Sequence, residues 1–158
     1  MNRTVLSVAA GFAATAVVLA AGLSLGWSRL GADQALLPGR WEASPSWVLS
    51  SLGVSLVAAI AGGFVCAALG RSMRAPSVLA ALVFGAGVVG AGAILLMPHA
   101  TSARGPDVGL LEAIRETREP LWPVVATPFV AATGVLIGAL RRLRGVAPEE
   151  PTTDATAS

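Results

Sequence analysis

The chain has 158 residues, of which 54% are hydrophobic and 13% charged, about half the charged share of a soluble domain. With a mean hydropathy of +0.73, this leaves room for one membrane domain and excludes a separate soluble one. A formal charge of +2, spread over scattered Arg, is no nucleic-acid footprint, and a single cysteine, Cys66, excludes an internal disulfide.

Four stretches carry no charged residue: 5–25, 47–69, 77–97 and 121–140. Each is about 20 residues long, enough for a helix to cross a hydrocarbon core of roughly 30 Å. The expected fold is all-α: a four-transmembrane-helix bundle with helices over about 4–26, 47–70, 77–97 and 121–143. These form one transmembrane domain over 1–145, followed by a disordered cytoplasmic tail over 146–158, rich in Pro, Glu, Thr and Ala. The first run follows Arg3 and contains small residues at Ala20, Ala21 and Gly22. It is longer than the core of a cleaved signal peptide, so an uncleaved helix is expected.

The first loop, 26–46, holds Gly31, Pro38, Gly39 and Pro45 and reads as irregular. The second, 70–76, is short, with Arg71, Arg74 and no acid. In the third, residues 107–119 have helical character: Asp107 follows Gly105-Pro106 as a cap, Pro120 ends the segment, and Val108, Leu111 and Ile114 recur at helical spacing. Arg115 and Glu119 stand at i,i+4. This pattern predicts a short amphipathic helix at the membrane interface.

All basic residues are Arg, and Lys is absent. Arg71 and Arg74 crowd the short second loop, and Arg141, Arg142 and Arg144 directly follow the last span. The Arg of the two longer loops are diluted by Asp and Glu. The positive-inside rule therefore puts both termini in the cytoplasm, with Arg71, Arg74, Arg141, Arg142 and Arg144 placed to meet lipid head groups. Arg-only, Ala- and Gly-rich usage points to a bacterial inner membrane. All four Trp (Trp27, Trp41, Trp47 and Trp122) then fall on the outer side, as an interfacial belt. Trp41, in mid-loop, is expected to fold the loop onto the membrane or a partner.

Within the bilayer, helices associate by close packing, which small residues permit. On the second span Ser51, Ser55, Ala58, Gly62 and Cys66 share a narrow arc, and Gly63 doubles the glycine at its centre. The fourth span offers Thr127, Ala131, Gly134 and Gly138, the third Ala81, Gly85 and Gly92, and the first Ser7, Gly11, Ala14 and Ala21. Pro128 removes a backbone hydrogen bond, whose freed carbonyl Thr127 or a neighbouring helix is expected to satisfy.

No ionisable residue lies in any span, which argues against ion-coupled transport. His99, the one histidine, has no partners at metal-ligand spacing, and no nucleophile, zinc or phosphate-loop motif occurs. No catalytic residue, cofactor or metal is expected. The outer loops retain Trp41, His99, Asp107, Glu112, Arg115, Glu116, Arg118 and Glu119 as candidates for interaction.

Residues 59–65 (AIAGGFV), followed by Arg71, and residues 119–123 (EPLWP) resemble small bacterial four-helix membrane proteins without a defined activity. The likeness covers most of the chain in layout. It implies four spans in the inner membrane and no chemistry; Pro123 departs from an aromatic in that pattern. The expected function is that of a non-enzymatic accessory, assembly or structural subunit whose partners are the lipid bilayer and another membrane protein or a second copy. The alternative is a transporter or channel for a small neutral or lipidic solute, lined by Ser51, Ser55, Thr127 and Thr133. A membrane enzyme using the outer-loop carboxylates and His99 comes third.

Overall fold

The computed structural model describes residues 3–96, 108–118 and 120–145. The expected tail, His99, Asp107 and Glu119 lie outside the described residues. Helices α1 (Arg3–Ala35), α2 (Pro45–Gly70), α3 (Arg74–Leu96) and α5 (Leu121–Arg144) are each long and apolar enough to cross a membrane. A fifth, α4 (Leu110–Glu116), is a short helix of 7 residues. The fold is an all-α bundle, and the chain is a multi-pass membrane protein.

The four long helices pack in the cyclic order α1, α2, α5, α3, with α2 also touching α3. α1 and α3 run one way, α2 and α5 the other. The start of α1, the α2–α3 turn and the end of α5 therefore share one end, and the two longer connections share the opposite end.

The core of this bundle is built from its smallest side chains. Ser7, Gly11, Ala58, Ala59, Gly62, Gly63, Cys66, Gly134, Gly138 and Ala139 are buried, whereas Phe12, Val17, Val57, Phe64, Val89 and Phe129 face outward. In water this arrangement would expose far more apolar surface than a monomer tolerates. In lipid there is no gain from hiding Leu or Phe, and backbone proximity decides the packing.

The glycines show where backbones meet. A Cβ on Gly62 would collide with Thr15 and the Gly11 carbonyl of α1, whereas one on Gly63 would collide with the Val135 carbonyl of α5. Gly138 allows α5 to rest on the Ile60 carbonyl and Phe64 nitrogen, and Gly134 faces Ala59 and Leu56. α2 thus has two packing faces. The Ala58, Gly62 and Cys66 arc includes the contacts with α1, and the second face, Leu56, Ala59, Ile60 and Gly63, meets α5. On α3 the expectation for Gly85 and Gly92 is corrected: neither has a neighbour within 4 Å of where a Cβ would stand, and the close approach is at Gly87, beside the Pro128 ring.

Three other expectations change. α1 continues past residue 26 to Ala35, broken only at Gly31, whose φ of 68° and ψ of 173° suit glycine alone. α4 is shorter than residues 107–119, and Gly109, not Asp107, stands at its N-cap. Finally, Pro128 frees the Val124 carbonyl, but the Thr127 hydroxyl donates to the Pro123 carbonyl instead, at 2.7 Å.

Candidate functional site

The extension of α1 beyond the span builds a folded cap. At ~1.5 Å per residue, the helix from Arg3 to Gly31 is about 42 Å long, roughly 12 Å more than a hydrocarbon core requires. The excess packs on the start of α2. Trp27 meets Trp47 edge to face, with ring centroids 5.6 Å apart, and Ala35, Ala43, Trp47 and Val48 form a buried cluster flanked by Leu30 and Leu110.

The chain then turns back between Leu36 and Ala43. The Leu37 nitrogen donates to the Glu42 carbonyl at 2.8 Å, and Ser44 closes the loop. The Ser44 hydroxyl donates to the Gln34 carbonyl at 2.6 Å and accepts from the Trp47 amide at 3.2 Å, so one side chain both caps α2 and ties it to the end of α1.

The third connection is pinned onto this hairpin. The Arg118 amide donates to the Trp41 carbonyl at 2.5 Å, and the Ala43 amide donates to the Arg118 carbonyl at 3.1 Å, forming a parallel bridge between Glu42 and Arg118. Trp41 is only 8% exposed. It folds its loop onto the other connection, which corrects the view of it as a membrane-facing ring. Trp47 is buried as well, and Trp122 is the one tryptophan more than half exposed. Two buried atoms of the cap, Trp41 Nε1 and Thr117 Oγ1, have no hydrogen-bond partner among the described residues.

Beside the bridge lies an open cleft of ≈ 390 Å³ lined by Leu37, Glu42, Ala43, Pro45, Arg118 and Pro120. It presents one carboxylate and one guanidinium on a mostly apolar floor. Glu42 also reaches Arg40, at 3.9 Å between two well-exposed side chains, a pair of little energetic weight. On α4, Ala113 is buried, and Leu111, Ile114, Glu112 and Arg115 are exposed, with Glu116 half-buried. No group of three or more His, Cys, Asp and Glu converges among the described residues.

The hydroxyls considered for a solute path are bonded within their own helices or exposed. Ser51, Ser55 and Thr127 each donate to a carbonyl of their own helix, at 2.9, 2.8 and 2.7 Å, and Thr133 faces outward.

At the opposite end Arg3, Arg71, Arg74, Arg141 and Arg144 are exposed and Arg142 is half-buried. Arg71 ends α2 in the left-handed conformation, at φ 53°, its amide donating to the Ala67 carbonyl. Every described Asp and Glu lies at the cap end.

No family model, curated protein or solved structure matches the chain.

The cap was only partly readable in advance. Arg118 and Trp41 stand out in the sequence as loop residues, but their pairing has no signal in spacing. The signal for Ser44 is its place before Pro45 at the head of an apolar run, a recognisable helix start.

Proposed function

We propose that this protein is a non-enzymatic accessory or assembly subunit of a bacterial cytoplasmic membrane. Both termini lie in the cytoplasm, and the folded cap on the other side receives a partner membrane protein. The observation that carries this reading is the backbone bridge between Glu42 and Arg118, which sets a defined cleft at the cap surface. Pinning the turn at residues 36–44 to Arg118 costs conformational entropy, and a cleft with an apolar floor and one charge of each sign offers a partner both apolar and polar contacts. The exposed Leu111, Ile114 and Trp122 extend the apolar surface nearby.

The test is site-specific photo-crosslinking in intact membranes, with the reactive group placed at Leu37 or at the lipid-facing Val57. The reading expects a discrete protein adduct from Leu37 that is lost in Arg118→Glu, and lipid adducts from Val57. Lipid adducts alone from Leu37, with a monomer in mild detergent, would overturn it.

A further inference from the structure

The arginine-rich end carries a more specific feature than a diffuse positive charge. Gly138 and Arg142 are four residues apart on α5, so they lie one above the other on the same face. Ile60 and Phe64 stand in the same relation on α2. Because Gly138 has no side chain, the two backbones touch at Ile60 and Phe64. One turn further on, that contact sets the Arg142 guanidinium over the Phe64 ring, 5.8 Å from its centroid. Phe64 is 46% exposed. Arg142 is thus half-buried at the seam, and a long cationic side chain at a span end lays its stem on apolar surface with its head toward the interface.

This cation has an aromatic neighbour, and every Asp and Glu among the described residues sits at the far end of the bundle. Arg141, Arg144, Arg71 and Arg74 add positive field around the same rim. A guanidinium binds phosphate through two parallel hydrogen bonds, and phospholipid phosphates lie at the interfacial depth where span-end arginines settle.

We propose that the α2–α5 seam is a binding site for an anionic phospholipid. The phosphate is held by Arg142, and the first acyl carbons lie along the exposed side of Phe64. The remaining arginines favour a net negative head group over a zwitterionic one. The site is independent of the cap and of its partner.

The experiment uses the full chain, purified in detergent and examined by native mass spectrometry and thermal unfolding. Phosphatidylglycerol, phosphatidylcholine and inorganic phosphate are added separately. The wild type is expected to retain phosphatidylglycerol in preference to phosphatidylcholine and to unfold at a higher temperature with it. Arg142→Gln is expected to weaken that retention about fivefold or more, the factor that one interfacial arginine supplies. Arg142→Lys keeps the charge but not the two-pronged geometry and loses part of the preference; Arg144→Gln loses less than Arg142→Gln. Arg29→Gln, at the cap end, leaves it unchanged. If Arg142→Gln does not fold, Phe64→Leu takes its place and is expected to lower retention. Equal losses from Arg142→Gln and Arg144→Gln would replace the site with diffuse attraction. Stabilisation by inorganic phosphate equal to that by the lipid would also overturn the proposal.

Discussion

A Cβ on Gly63 would land on the Val135 carbonyl, and one on Gly85 would meet nothing within 4 Å. The two glycines, indistinguishable by type, therefore predict opposite results. Gly63→Ala forces two backbones apart and is expected to cost about 1–3 kcal/mol, as overpacking does. Gly85→Ala gains helix propensity and is expected to be neutral or to stabilise by up to ~1 kcal/mol. Unfolding midpoints in one detergent compare them directly, and a Gly63→Ala protein as stable as wild type would disprove the close α2–α5 contact. Thr117 offers a second test at this scale. Its buried hydroxyl has no partner among the described residues, and an unpaired polar atom costs free energy that an apolar isostere does not. Thr117→Val is expected to leave stability unchanged or raise it slightly. A loss of ~1 kcal/mol or more in the same assay would mean that the hydroxyl is in fact bonded.

At the scale of elements, the spans were legible because the absence of charge over about 20 residues reports the solvent directly. Their ends were not. Residues 27–35 of α1 carry Arg29, Asp33 and Gly31, so they fail the apolarity criterion. They remain helical because Trp27 and Leu30 pack on Trp47 and its neighbours. The faces of α2 were half legible. The Ala58, Gly62 and Cys66 arc is visible as a stripe, but the α5 face mixes Leu56 and Ile60 with Ala59 and Gly63, and its contacts run through carbonyls that a sequence does not advertise. The cap was the least legible part, since it depends on backbone pairing between residues 41–43 and 118. Ser44 joins these elements. Removing its hydroxyl takes away the α2 cap and the shorter of two hydrogen bonds to the Gln34 carbonyl, the other coming from the Ser46 hydroxyl at 3.3 Å. Ser44→Ala is expected to cost about 1–2 kcal/mol, at or above the middle of the range for a lost N-cap. The loss should begin locally, as faster amide exchange at Trp47 and Val48. Unchanged exchange there would mean that the cap is held by its apolar cluster alone.

At the scale of the whole molecule, charge is segregated by end among the described residues. One rim holds Arg3, Arg71, Arg74, Arg141, Arg142 and Arg144, while the cap mixes Arg29, Arg40, Arg115 and Arg118 with Asp33, Glu42, Glu112 and Glu116. Acidic residues contribute little to orientation, so the decision rests on arginine density near the span ends. Arg71 and Arg74 sit at the tight α2–α3 turn and the other three in the last turn of α5, close to the span ends, where their effect is greatest. A reporter fused after Gly145 is therefore expected to be cytoplasmic: fluorescent as a green fluorescent protein fusion and inactive as an alkaline phosphatase fusion. Replacing Arg71, Arg74, Arg141, Arg142 and Arg144 with Gln leaves Arg3 alone on that rim. The arginine balance then favours the cap end, and the same reporters should show mixed or inverted orientation. Arg142→Gln by itself changes the balance too little to move them, so a lipid-binding defect in that variant reads out at the α2–α5 seam and not through topology. Cytoplasmic reporters in the fivefold variant would mean that orientation is set by something other than these arginines, such as the size of the folded cap.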